Sequence, residues 1–315
     1  MTTLHTDPSK RHDAVLLVDV VNGNPNGDPD NANLPRTNPY DGTGLITDVA
    51  LKRKVRNWVA AARPDDNDAN ARYKIYVEEG VALNARHRRA YEELKAANEL
   101  AAGDLEQKKM KAPKPEVATK VREWMCANFY DIRMFGAVMG TEVNAGQVKG
   151  PVQFTFAQSL DPIFPIEHAI TRVAVTNEKA LQSFYEGSED GGGKNREMGR
   201  KATVSYGLYR AHVYYSPYYG HQTGATQDDL ALLWEALIMG WDLDRSSARG
   251  DMACRGLWVF SHDNPLGNAP SHTLLEKIQV ARLPEVEQPG RFSDYRVADD
   301  PGQTPAGVSF SGPLV

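Results

Sequence analysis

The sequence predicts an α+β fold, and three observations carry that prediction. Apolar runs of strand length recur along the chain, two amphipathic helices separate them, and the regular pieces follow one another as strand, helix, strand, strand, helix, strand. That order is the ferredoxin-like split arrangement. It predicts a core unit built from residues 12–62, 126–162 and 203–283, of the kind shared with RNA-recognition folds, interrupted by a helical insertion at 63–125 and a protruding β-hairpin at 163–202, and followed by a C-terminal extension at 284–315.

Residues 14–21 form a near-continuous apolar run, interrupted only by Asp19, as expected of a strand covered on at least one face. Residues 22–44 are rich in Gly, Pro and Asn, so no regular element is expected there, and loops of this length usually carry function. Thr47 or Asp48 can cap the helix that follows. At ~100° per residue its buried stripe holds Leu51, Val55, Trp58, Val59 and Ala62. Lys52, Arg56 and Arg63 line one border of the stripe, Lys54 lies on the other, and Arg53 points away from the core. Three cations in a row can grip successive phosphates of a passing strand. The same pattern also describes a solvated helix flank.

Residues 73–77 predict a short strand, 84–105 a helix, and 117–125 a further helix. Between the last two, KKMKAPKPE reads as a basic linker whose prolines exclude a regular helix. Residues 129–139 are expected as the second core strand, and VQFTFAQS at 152–159 alternates at period two. Extended segments at 163–176 and 201–215 flank a polar stretch with a triple glycine, Gly191 to Gly193, which predicts a hairpin with a flexible tip. Residues 206–215 form the third core strand. The second helix, 226–241, buries Leu230, Leu233, Trp234, Leu237 and Trp241 and starts with Gln227, Asp228 and Asp229, where the helix dipole favours acid. Residues 256–260 are the fourth strand and 274–281 an edge strand, whereas 284–315 show no periodicity.

The 315 residues include 41% hydrophobic side chains, enough for a sizeable core, and no early segment resembles a signal peptide or a membrane span. Two cysteines form neither a metal knuckle nor a disulfide framework, so a reducing cytoplasm is the expected compartment. A net charge of −5 excludes a generally basic nucleic-acid binder. Any such role depends on local clusters, at 52–56, 86–89, 108–114 and 194–201.

Four stretches carry a resemblance: NPNGDPDNANLPR (24–36), GLITDVALKRKVRNWV (44–59), DIRMFGAVM (131–139) and AGQVKGPVQFTFAQSLDPI (145–163). Together they resemble the backbone subunit of the type I-C CRISPR Cascade surveillance complex, over about residues 12–283. The resemblance implies a non-catalytic protein, without cofactor or metal, that polymerises along a CRISPR RNA and leaves guide bases free to pair with target DNA. Its implied partners are that RNA, target DNA, further copies of itself and other Cascade subunits, with no membrane. It implies phosphate contacts for Lys52, Arg53 and Arg56. Asn22, Asn24, Asn26 and Arg36 fall in the loop segment beside the guide, and Gln147, Lys149 and Gly150 in a glycine-rich segment close to it. The resemblance also implies that the core unit is a modified RNA-recognition palm, that 63–125 is a helical finger insertion and that 163–202 is a thumb hairpin, whose cations Lys194, Arg196, Arg200 and Lys201 complete the implied set.

The enzymatic alternative is a metal-dependent ribonuclease using Asp28 and Asp30, with Asp19, Asp41 and Asp48 nearby in sequence. Asp after Pro/Gly turns is also common for backbone reasons. The eight histidines are scattered without a nucleophile or carboxylate at motif spacing, and Gly191–Lys194 lacks the first glycine of a phosphate loop. Tyr214, Tyr215, Tyr218 and Tyr219 can stack on bases or pack in the core and its turns.

Overall fold

Strand β1 (Arg11–Gly23) lies at the centre of the molecule because it is apolar on both sides of its pleat. In a strand successive side chains point to opposite faces. Ala14, Leu16, Val18 and Val20 enter one core, and Val15 and Leu17 enter another. The computed structural model describes residues 4–65, 68–172, 174–179, 181–182 and 197–315. It is a mixed α+β structure with an antiparallel main sheet.

The elements after β1 are β2 (Thr43–Ile46) and α1 (Asp48–Ala62), then α2 (Leu83–Ala96), α3 (Gln107–Lys111), α4 (Pro115–Asn128) and α5 (Tyr130–Phe135). Strands β3 (Gly136–Gly140), β4 (Asn144–Lys149), β5 (Val152–Phe154), β6 (Ala157–Pro162), β7 (Pro165–Arg172) and β8 (Glu197–Tyr215) follow. The chain continues through α6 (Pro217–Thr223), α7 (Gln227–Leu243), β9 (Asp251–His262), α8 (Ser271–Leu275), β10 (Gln279–Arg282), β11 (Tyr295–Ala298) and β12 (Val308–Ser311). The main sheet runs β12-β9-β1-β8-β6-β2, with β5 and β7 also pairing along β8.

Thr47 is the N-cap of α1: its hydroxyl accepts from the Ala50 amide, a bond worth ~1 kcal/mol. Leu51, Val55 and Val59 are fully buried, with Trp58 and Ala62 packed beside them, so the expected stripe holds. α7 is closed by a reciprocal cap between Thr226 and Asp229. Together α1 and α7 cover one face of the sheet. The other face is covered by Leu274, Leu275, Ile278, Tyr295 and Val308, packed on Trp258 and Phe260. A separate core between residues 76 and 148 is built from Tyr91, Leu94, Val121, Met125, Phe129 and Ile132.

Several expectations need correction. Residues 129–139 are not a core strand: they form α5 and then β3, which pairs only with β4 in a separate two-stranded ladder. Ile132, Met134 and Phe135 satisfy their burial from a helix wedged between the two cores, and β6 takes the place beside β8. Residues 73–77 make one parallel bridge, Lys74 to Phe129, and no strand. The helix expected over 84–105 ends at Ala96, and a short helix, α3, does form in the basic linker, stopping before Pro113. In the loop at 22–44, Gly27–Asp28 pairs with Leu34–Pro35, and β2 begins at Thr43. Residues 274–281 divide between α8 and β10, which pairs with β11 away from the main sheet. The aperiodic tail supplies β12, the edge strand on β9.

The hairpin at the expected thumb is antiparallel, from Val204 opposite Pro165 to Glu197 opposite Arg172, and every residue of β7 is exposed. Lys194, Arg196 and the triple glycine lie outside the described residues. No helix among the described residues is long and apolar enough to cross a membrane.

Candidate nucleic-acid interface

The sheet itself offers no open platform, because both of its faces are built over with apolar side chains. Any polynucleotide would therefore have to meet the molecule at helix borders, loops and hairpins.

Phe135 is the point around which the separate cations gather. The Lys52 ammonium lies 6.0 Å and the Arg56 guanidinium 5.5 Å from its ring centre. The next residue, Gly136, is paired with Lys149 in the β3–β4 ladder. α5 thus brings α1 and the 147–150 segment together, though they are ninety residues apart in sequence. Gly136 has φ +76°, and a Cβ on it would lie 2.4 Å from the Val148 carbonyl oxygen. Only glycine allows this approach.

The implied contact residues fall into two groups. Arg53 is exposed and bonds to no other described residue. Lys52 is half-buried and pairs with Asp48 one turn earlier, at 2.9 Å. Gln147 and Lys149 are exposed on β4, with the Lys149 ammonium donating to the Tyr219 hydroxyl at 2.8 Å. Asn22 is exposed at φ +49°, a left-handed position that asparagine tolerates. These side chains are open to a ligand. Of the thumb cations, Lys201 is half-buried, whereas Arg200 projects with 84% of its side chain exposed, 3.4 Å from Glu167.

The second group is engaged inside the protein. Asn24 is buried and donates to the Asn33 carbonyl. The Asn26 carboxamide oxygen accepts from both the amide and the hydroxyl of Thr47, tying the loop to the start of α1. Arg36 pairs with Asp28 at 3.2 Å. Gly150 is needed for internal packing, since a Cβ there would lie 2.2 Å from the Phe135 carbonyl carbon. The Asn loop is also held at the far end of α7, where Asn24 accepts from Arg249 and its amide donates to Ala248. It does not join the Phe135 group directly.

Arg56 belongs to both groups. Its Nε donates to the buried Asp131 carboxylate at 2.8 Å, and that carboxylate also accepts from the Tyr76 and Val77 amides. Neither Nη of Arg56 has a partner among the described residues or is sealed from solvent, so that edge faces outward. Two residues along, Arg133 is wholly buried. It makes a two-point ion pair with Asp229 at 3.0 and 2.8 Å and donates to the carbonyls of Cys126 and Arg72. Sequence reasoning missed this junction of Asp131, Arg133 and Asp229. The signal available was two opposite charges inside the apolar stretch DIRMF.

The carboxylates considered for a metal do not converge. Asp28 holds Arg36, Asp41 accepts from Thr43, Asp48 pairs with Lys52, and Asp19 pairs with Arg255 at 2.8 Å. Burial pushes the Asp19 carboxyl up, against the pull of Arg255 and Tyr206. Among the described residues, no three of His, Cys, Asp and Glu gather closely enough to hold a metal ion.

Three solved structures are similar in overall shape. A chain of a CRISPR RNA-guided surveillance complex in a pre-nicking state aligns with TM-score 0.49 and 14% identity, over 79% of this chain and 78% of that one. A second such complex gives TM-score 0.42 and 13% identity, over 79% and 68%. A Type III-B Cmr-beta complex bound to cognate target RNA gives 0.39 and 13%, over 79% and 61%. In sequence, a CRISPR-associated protein Cas7 of Haloferax volcanii is 27% identical over 204 residues, 59% of this chain. The matched part spans about half of that relative, 53% of its length. The profile of the family "CRISPR-associated protein Cas7" matches residues 10–300, so the chain belongs to the CRISPR-associated protein Cas7 family.

Proposed function

We propose that this chain is a non-catalytic CRISPR RNA-binding backbone subunit of a type I-C Cascade complex, several copies of which line up along one guide in the cytoplasm and present it to target DNA. The observation that carries this reading is the convergence of Lys52, Arg56 and Lys149 about Phe135 and Gly136, with Arg53 exposed on the same helix, on a chain whose net charge is −5. Local cation density on an acidic protein suits a ribose-phosphate strand held at one place. The open side chains carry charge and amides without a base-reading geometry, which suits a protein that leaves sequence to guide–target pairing.

The palm is a modified ferredoxin-like unit in this reading. Its support is the strand order β9-β1-β8-β6, antiparallel throughout, with α1 following β1 and α7 following β8. Residues 63–125 act as fingers. The β7–β8 hairpin acts as a thumb: having no core of its own, it lies over the guide and the next copy. Asn22 contributes to the guide surface. Asn24, Asn26 and Arg36 shape the loop behind it, and Gly150 lets the β3–β4 ladder close.

The test is to purify the chain through a high-salt wash, identify RNA that travels with it, and measure CRISPR RNA binding against salt. Lys52→Gln with Arg53→Gln is expected to weaken binding of every guide sequence alike. It should also lower the log–log salt slope by ~1.4, at ~0.7 per neutralised phosphate on single strands. Unchanged affinity and slope would remove α1 from the interface, and guide cleavage with Mg²⁺ lost on Asp28→Ala would overturn the non-catalytic reading.

A further inference from the structure

We infer that the surface at Lys149 continues into a groove along α6 that takes a stretch of single-stranded polynucleotide, stacking a base on Tyr218 while Lys149 and Arg122 hold its phosphates. The nucleic-acid chemistry of the partner rests on the function proposed above, but the groove does not involve α1.

Two clefts of about 330 Å³ each meet at Lys149. One runs past Arg11, Gln153 and Tyr219, the other past Gln147, Arg122 and Gln222. The Lys149 ammonium sits 4.5 Å from the Tyr219 ring centre, and the Tyr218 ring meets Tyr219 edge-on at 5.1 Å. Lys149 thus braces Tyr219, which in turn braces Tyr218. Tyr218 is left 61% exposed, a large aromatic ring in water at the margin of the clefts, against Tyr219.

Aromatic platforms interleaved with cations are how proteins hold single strands without reading sequence, because every base offers a π face and every nucleotide a phosphate. Lys149 and Arg122 have no carboxylate within ion-pair distance among the described residues, and Glu123 is the one acid lining the second cleft. Gln147 and Gln222 are exposed beside them, and their amides can meet base edges of any identity. An acidic protein segment would use the cations and leave the exposed ring idle, so a polynucleotide accounts for more of the groove.

The full chain, free and loaded with guide RNA, is titrated with labelled oligo(U) RNA and oligo(dT) DNA at several salt concentrations. Tyr218→Ala is expected to weaken binding by ~5-fold or more with the salt slope unchanged, because stacking carries no charge. Arg122→Gln is expected to lower the slope by ~0.7. Both side chains are exposed, and a thermal melt confirms that each variant folds. Loss of oligo(U) binding on the free chain assigns the groove to the guide, and loss only of oligo(dT) on the loaded chain assigns it to the opposing DNA strand.

Native affinity and slope in both variants overturn the groove. So does weakened binding of poly-glutamate by Arg122→Gln with no effect of Tyr218→Ala, which assigns it to an acidic protein. The pair Lys52→Gln with Arg53→Gln, measured alongside, separates the two ideas. If only that pair loses binding, the α1 surface stands and the groove falls; if only the groove variants lose it, the reverse holds.

Discussion

Arg133 and Arg53 are the same residue type in opposite settings. Arg133 is 1% exposed, locked to Asp229 and to backbone carbonyls where two of the molecule's cores meet. Arg53 stands in solvent on α1 with no described partner. Charge in a sequence does not distinguish a cation that builds the protein from one that meets a ligand. Burial does, because a buried charge must be paired where it sits, whereas an exposed one remains available.

The comparison breaks most readily at the junction. Arg133→Met leaves the buried Asp229 carboxylate with the half-exposed Arg72 as its one cation among the described residues, besides its bonds from Thr226, and urea unfolding should register a loss of ~3–5 kcal/mol. A loss below ~1 kcal/mol would mean that the junction does not hold the two cores together.

Buried His12 tests the same rule through pH. Burial pushes its imidazole down from 6.5 to about 4, while Nε2 donates to the Asp7 carbonyl and Nδ1 accepts from Ser261. The folded chain keeps it neutral where the unfolded chain takes a proton. Stability is therefore full above pH 6.5 and falls on acidification to about 4, by on the order of 3 kcal/mol from this group. His12→Asn should flatten that limb, and an unaltered acid profile would show the histidine is not held neutral.

Arg56 sharpens the contrast because it serves both settings. Arg56→Gln should cost ~1.5–3 kcal/mol in unfolding, for a bond to a charged partner, and also ~0.7 of salt slope in guide binding. An effect on one readout alone would assign it to one role.

The smallest stability effect belongs to the open cations. Lys52→Gln with Arg53→Gln should change unfolding by no more than ~0.5 kcal/mol, since an i,i+4 helix pair such as the half-buried Lys52–Asp48 contributes little. A larger loss would make α1 a structural charge cluster like the junction.

Elements with a clean period were legible in the sequence. The run at 14–21 and the stripes of α1 and α7 appear where periodicity puts them. Residues 129–139 were not, because a short apolar run reads equally as buried strand or buried helix turn, and only the core around Ile132 decides. β12 was illegible for another reason: Val308–Ser311 alternates apolar and polar over only four residues between Gly307 and Gly312, too short a run to stand out, and it takes its conformation from β9. At the candidate site, the basic turn of α1 was visible in the residue pattern, whereas Lys149 was pointed to only by the family resemblance. That Asn24, Asn26 and Gly150 face inward could not, because their partners, Asn33, Thr47 and Phe135, are set by tertiary packing.

β12 closes the sheet margin beside β9 with four residues, helped by a bond from the Leu314 amide to the Leu257 carbonyl. Proteolytic trimming or a poorly placed affinity tag that removed or displaced 308–315 would leave the β9 backbone without its outer neighbour. A bare sheet margin of that kind invites strand addition from another molecule. Preparations handled this way should clump through ordinary aggregation, and such clumps should not be mistaken for ordered assembly on a guide.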